Sequence, residues 1–216
     1  MRVAFFGGTF DPIHRGHLRL ASAAADAFAL DRVLFAPAGN QPLKSEEATA
    51  SYSDRLAMVR LACGRQPATG DQAGTASIAP DPRFAVSDLD TPKPGGGPNY
   101  TVDTLATLAR DLAGASLFVL AGADSFLDLR RWRSPDRLLE LAEWIVVSRP
   151  EYPLSEAQIA ALALAPAQRA RVHLLPTVHE EVSATELRRR LQVGDPCTGL
   201  LPPAVAAYIQ THNLYR

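Results

Sequence analysis

Gly7-Gly8-Thr9-Phe10-Asp11-Pro12-Ile13-His14-Arg15-Gly16-His17 follows directly on Val3-Ala4-Phe5-Phe6, and the reading of this stretch decides the fold. Four consecutive apolar residues predict a strand buried on both faces, as in parallel sheets. The paired glycines allow a tight turn and close approach of a ligand to the backbone. Leu18-Arg19-Leu20-Ala21 and the alanines behind it predict a helix. Strand, glycine turn and helix start together form an anion-binding edge, because free N–H groups and the helix dipole both favour negative charge. His14 and His17 fall at that helix start, where a spacing of three places both rings on one face.

Other uses of such a stretch fail on particular residues. A P-loop needs a lysine behind its glycines and none is present, and the Gly-x-Gly-x-x-Gly dinucleotide fingerprint is also absent. No third ligand with metal spacing lies near the histidines, and Cys63 and Cys197 stand alone. A single histidine is usually a satisfied structural group. Two on one face beside a glycine turn point to a ligand.

Bulk properties narrow the classes further. With 216 residues, 47% hydrophobic and 21% charged, the chain suits one α/β domain spanning 1–216, its helical end at about 183–216. A net charge of -1 argues against a surface that coats nucleic acid, so anion binding must be local. Two distant cysteines imply reduced thiols and a cytoplasmic location. No signal-like opening exists and no apolar run approaches the roughly 20 residues of a membrane span, so neither secretion nor a membrane partner is expected.

Further along, Val33-Leu34-Phe35-Ala36 completes a right-handed βαβ unit. It runs into Pro37-Ala38-Gly39-Asn40-Gln41-Pro42-Leu43-Lys44, a loop at the carboxyl edge, where open α/β sheets bind ligands. Ser53 to Ala62 predicts a helix with Leu56, Val59 and Ala62 inward, and Arg65 to Pro80 a mobile surface loop. Phe84 to Ser87 predicts a short strand, and Thr91 to Pro98 a flexible stretch without regular structure. Thr101 is expected to cap a helix that ends near Gly114. Leu117 to Ala121 and Trp144 to Val147 are further buried strands, the first closing in a Gly122-Ala123-Asp124-Ser125-Phe126 turn. Ser134-Pro135 reads as a cap followed by proline at the first helical position. A helix over Ser155 to Leu164 and a last short strand over Val172 to Leu175 follow, and His173 and His179 show no partner. Ser183 and Glu186 form a capping box, and Leu200 to Tyr208 a terminal helix. Four apolar strands alternating with helices predict a Rossmann-like, doubly wound parallel sheet with helices on both faces.

His14-Arg15-Gly16-His17 is an H-x-G-H signature, and the longer string through Leu18 resembles that of the bacterial nicotinate-nucleotide adenylyltransferases of the nucleotidyltransferase superfamily. The likeness runs to the terminal Asn213-Leu214-Tyr215. It implies transfer of AMP from ATP to nicotinate mononucleotide, yielding nicotinate adenine dinucleotide and pyrophosphate in NAD synthesis. It places Gly7, Gly8, Thr9, Phe10, His14 and His17 at the ATP phosphates, and Gly122 and Asp124 at the nucleotide. Ser183-x-Thr185-x-x-Arg188 resembles the superfamily's second motif, which holds the outer phosphates. Asn40, Lys44 and Arg149 are implied at the acceptor, with Lys44 and Arg149 on its phosphate; Leu43 stands where the family often has histidine. Tyr100 and Thr101 are implied at the pyridine carboxylate, and Trp132 as the platform for the ring. His14, His17, Lys44 and Arg188 are the implied catalytic residues, and Mg²⁺ is implied to arrive on ATP. A homo-oligomer is compatible with this reading.

Rivals are an adenylyltransferase acting on nicotinamide mononucleotide or a pantetheine phosphate, and a nucleotide-binding regulator without catalysis. Chain length and the Trp132 region argue against the pantetheine enzyme. Retention of both histidines and of the Thr185–Arg188 helix argues against the regulator.

Overall fold

A computed structural model describes residues 1–43, 48–64, 81–148, 154–175 and 182–216. Lys44, Arg65 to Pro80, Arg149 and His179 lie outside the described residues. The strands are β1 (Arg2–Gly8), β2 (Arg32–Pro37), β3 (Phe84–Val86), β4 (Ser116–Gly122), β5 (Glu143–Val147) and β6 (Val172–Leu175). They form one six-stranded sheet in the order β3-β2-β1-β4-β5-β6, and every pairing is parallel. The chain reverses direction of winding between β1 and β4, and that switch point at the carboxyl edge is where such sheets bind ligands.

Alternation along each strand feeds two cores. Ala4, Phe6, Phe35, Phe118 and Leu120 face α1 (Arg15–Ala27), α2 (Tyr52–Cys63) and the two C-terminal helices, α8 (Ala184–Gln192) and α9 (Pro203–Thr211). Val3, Phe5, Leu34, Val119 and Trp144 face α3 (Thr101–Asp111), α4 (Ala123–Leu127) and α5 (Pro135–Leu141), joined by Leu162 just after α6 (Glu156–Ala161). Between β5 and β6 lies also the short α7 (Pro166–Arg169). Both faces of the central strands are therefore dry, which is why β1 and β4 read as unbroken apolar runs. The expected doubly wound sheet is observed. No described helix is long and apolar enough to cross a membrane.

Several local expectations are corrected. On α2 the buried stripe is Arg55, Met58, Val59 and Ala62, and Leu56 is only half-buried. Tyr100, not Thr101, is the residue flanking α3, because its extended backbone lets its carbonyl accept the Asp103 N–H at 3.0 Å. The Gly122–Phe126 turn continues as α4, so this edge is a short helix. Ser134 adopts a left-handed φ of 52° and makes no side-chain cap, although Pro135 does open α5. The expected Ser155–Leu164 helix stops at Ala161. Thr91 to Pro98 has no regular structure, yet it is docked by hydrogen bonds: Asn40 Nδ2 donates to the Gly96 carbonyl at 3.0 Å and Asn99 Nδ2 to that of Thr91 at 3.0 Å. His173 has a partner, the Glu143 carboxylate at 2.7 Å across the β5–β6 pair.

Candidate active site

The glycine turn is shaped by rings. A Cβ at Gly8 would come within 2.9 Å of the Phe10 ring, and one at Gly7 within 2.9 Å of the Phe5 ring, so a side chain at either position would force a ring to shift. Neither glycine has positive φ; the left-handed residue is Phe10 itself, at 49°, a conformation costing about 1–2 kcal/mol for a non-glycine. Its ring is buried between Phe6, Phe35 and His17, at centroid distances of 5.4, 5.8 and 5.1 Å. Only the backbone of Phe10 is thus positioned to meet a ligand. Thr9 Oγ1 lies 3.5 Å from Gln41 Oε1, linking this turn to the loop after β2.

His14 is buried and extended (φ −142°) and flanks α1 rather than joining it, while His17 lies in the first turn. Their rings stack at 3.7 Å with 30° between planes. The His14 backbone N–H donates to His17 Nδ1 at 3.3 Å, which assigns the His17 proton to Nε2. Both imidazoles therefore share one face at the helix start, where the dipole also favours an anion.

A buried ionic network that the sequence did not disclose fixes this loop. Arg55, 3% exposed, donates from Nη1 to the Thr9 carbonyl at 2.7 Å, and Arg188 Nη1 donates to the Asp11 carbonyl at 2.8 Å. Two guanidiniums from different helices thus grip carbonyls on either side of Phe10. Because the peptide is planar and trans, the Phe10 N–H is turned away from Arg55. Burial lowers the Arg55 pKa, and Asp11 offsets that in part. The Asp11 carboxylate accepts from the Thr49 N–H (2.7 Å), the Ala50 N–H (3.1 Å) and the Tyr215 hydroxyl (2.6 Å). Arg188 Nη2 reaches Thr185 Oγ1 at 3.3 Å, so the Thr185–Arg188 turn sits against the histidine loop from 177 positions away. Ser183 caps α8 by accepting the Glu186 N–H at 3.1 Å. The capping box is only half made, because the Glu186 carboxylate turns to Arg189 and Arg190, which hold it down at about 2. Those two arginines stay at the surface, and Arg188 is the one turned inward.

Residues that the resemblance implies at the acceptor form a second cluster. Gly39 allows the loop after β2 to lie against Asp90 and Pro92: an added Cβ would stand 2.6 Å from the Asp90 carbonyl, which is backbone and cannot give way. Asn40 is exposed and bound through its N–H to Asn99 Oδ1 at 3.1 Å. Tyr100 and half-buried Trp132 pack on the same core, Trp132 edge-on to Trp144 at 5.7 Å. Thr101 begins α3. The Arg133 guanidinium lies 4.5 Å over the Tyr100 ring, another contact the sequence reading missed. Gly122 and Asp124 are exposed at the β4 edge, the first with open space where a side chain would be. No described group of three or more His, Cys, Asp or Glu is placed to hold a metal ion.

The parallel sheet, the stacked histidines at its carboxyl edge and the arginine helix against them have the form expected of a nucleotidyltransferase, and comparison with known proteins assigns the class. The family model described as cytidylyltransferase-like matches residues 5–190. A Roseiflexus sp. strain RS-1 protein named "probable nicotinate-nucleotide adenylyltransferase" is 41% identical over 99% of this chain and 98% of its own length. A Thermus thermophilus protein of the same name is 41% identical with both chains covered in full. The solved Plasmodium falciparum nicotinic acid mononucleotide adenylyltransferase complexed with NaAD superposes at a TM-score of 0.74 and 16% identity, covering 99% of this chain and 97% of that one, a likeness of fold. The chain belongs to the nicotinate-nucleotide adenylyltransferase family, within the cytidylyltransferase-like proteins.

Proposed function

We propose that this chain transfers the adenylyl group of ATP to nicotinate mononucleotide, forming nicotinate adenine dinucleotide and pyrophosphate, as the names of its relatives indicate. The observation that carries the reading is the Arg188–Asp11 contact at 2.8 Å, which sets the Thr185–Arg188 turn beside the stacked histidines. A phosphate oxygen of the acceptor attacks the α-phosphorus of ATP, and the α–β bridging oxygen leaves with pyrophosphate. Both partners are anions, so alignment and charge stabilisation supply the rate, and no covalent intermediate is needed.

In this reading His14 and His17 donate to the α- and β-phosphates, His17 through Nε2. Gly7, Gly8, Thr9 and Phe10 offer backbone N–H groups to the triphosphate, and Arg188, Thr185 and Ser183 hold the departing pyrophosphate. Gly122 and Asp124 bound the nucleotide at the β4 edge. Lys44 and Arg149 are assigned to the acceptor phosphate, with Asn40 beside it. Trp132 carries the pyridine ring, and Tyr100 and Thr101 at the start of α3 face its carboxylate. The Asp11 carboxylate is fully engaged, so the described residues suit Mg²⁺ arriving on ATP better than a resident ion. The single-domain reading and a cytoplasmic location, resting on two unpaired cysteines, belong to the same proposal.

Pyrophosphate release is the test, with ATP and, in turn, nicotinate mononucleotide, nicotinamide mononucleotide and a pantetheine phosphate. The first acceptor should be preferred. Preference for another would reassign the substrate, and no release with any would favour a non-catalytic nucleotide binder. His17→Ala should lower turnover by about 2–4 kcal/mol of transition-state stabilisation with the fold intact by circular dichroism.

A further inference from the structure

We propose that Arg133 is the residue that selects an acidic over an amidated pyridine acceptor, an inference that rests on the acceptor reading above. Three arginines crowd this segment, and two are committed. Arg130 donates to the Leu162 carbonyl at 2.7 Å, the Ala163 carbonyl at 3.0 Å and Asp136 at 2.8 Å. Arg131 donates to Asp128 at 3.0 Å. Arg133 is exposed and has no carboxylate partner among the described residues; its guanidinium carbon stands 4.5 Å above the Tyr100 ring. Lys93 approaches the same ring at 5.8 Å but is paired with Asp103 at 3.7 Å.

Stacking on an aromatic face engages the flat side of a guanidinium and leaves its N–H donors, which lie in the plane, directed outward. A carboxylate fits that fork with two parallel acceptors, whereas a carboxamide offers one acceptor and sets its NH₂ against a donor. Tyr100 and Trp132 pack on one core, so the ring platform and the arginine perch are fixed relative to each other. A pyridine lying on Trp132 therefore presents its substituent to a pre-positioned cation, and selection arises from charge and from an unmatched donor together.

The experiment compares kcat/KM for nicotinate and nicotinamide mononucleotides in the native protein, Arg133→Gln and Arg133→Lys, with ATP saturating. Arg133→Gln should lower the acid-to-amide ratio by about tenfold or more, mainly through the KM for the acid, and Arg133→Lys should restore part of it. An unchanged ratio in Arg133→Gln overturns the assignment, as does equal loss toward both acceptors. On the native protein, raising NaCl from about 0.05 to 0.5 M should also lower the ratio, since an exposed cation is screened over this range. A ratio indifferent to salt overturns the proposal even where a variant fails to fold. Failure of the native protein to use either acceptor would instead refute the adenylyl-transfer reading.

Discussion

Removing the hydroxyl of Tyr215 should show how strongly the far end of the chain supports the histidine loop. Tyr215 is 4% exposed and its hydroxyl donates to Asp11 Oδ1 at 2.6 Å. Tyr215→Phe keeps the ring and leaves a buried carboxylate one donor short, which costs about 1.5–3 kcal/mol for a bond to a charged group. At roughly 2–4 °C per kcal/mol for a domain of this size, the midpoint of thermal unfolding should fall by about 3–12 °C. Tyr208→Phe is the matched control: its hydroxyl also donates to a carboxylate, Asp54 Oδ1 at 3.0 Å, but from a more exposed position, and its loss should cost less than about 1 kcal/mol. The alkaline side supplies an independent arm. Burial, then the bond to Asp11, pushes the Tyr215 phenol above its ordinary value. The unfolded chain then releases this proton near pH 10 while the folded chain retains it, so stability falls as pH rises past about 10. Tyr215→Phe should lose that part of the alkaline slope. Equal midpoint shifts for the two tyrosines, or an unchanged alkaline slope, would refute the claim that a buried Asp11 anchors the C-terminus.

Two other groups give simple tests. Burial raises the Asp90 pKa, opposed by the Thr104 hydroxyl, which donates to Asp90 Oδ1 at 2.5 Å. A carboxyl whose folded pKa is raised costs stability as pH rises from its unfolded value of about 3.9 through its folded one. Asp90→Asn, which can still accept from Thr104, should therefore gain stability relative to the native protein on going from pH 4 to pH 7.5, read by urea unfolding. Burial pushes the Cys63 thiol up to about 12 and raises that of Cys197 as well. Neither should be alkylated by iodoacetamide at pH 7.5 until the chain is unfolded, as mass spectrometry would show.

What the sequence disclosed and what it hid divide by the range of the interactions. The sheet was legible because a strand covered on both faces must be apolar throughout, and Val3 to Phe6, Val33 to Ala36, Leu117 to Ala121 and Trp144 to Val147 are so. The histidine pair was legible because three residues of helix start bring the rings together. Asp11, by contrast, looks in sequence like a turn residue, and its partners are 38, 39 and 204 positions away. Arg55 was hidden by its helix: a stripe of Arg55, Met58, Val59 and Ala62 has apolar spacing with one cation in it, and the spacing alone favoured its neighbour Leu56. The Thr91–Pro98 stretch correctly showed no period, but composition carries no sign of the bonds that dock it on Asn40. His173 likewise found Glu143 only through the β5–β6 register.

Arg55 and Asp11 share one task with Arg188, and it explains why buried charge is kept where an apolar residue would be easier to bury. Phe10 is held in a left-handed conformation in which its ring packs under His17 while its backbone stays at the carboxyl edge of the sheet. Such a turn persists only if its surroundings over-determine it. Apolar packing fixes the ring but cannot orient the flanking carbonyls; directional donors can, and Arg55 on Thr9 and Arg188 on Asp11 supply them from either side. Two guanidiniums in a largely dry site need an anion, and Asp11 provides it. The same carboxylate then collects Thr49, Ala50 and Tyr215, so the charge that balances the arginines also ties the loop before α2 and the end of the chain to the histidine turn. Arg188 thus belongs to the scaffold of this turn, beside the pyrophosphate-holding role proposed for it.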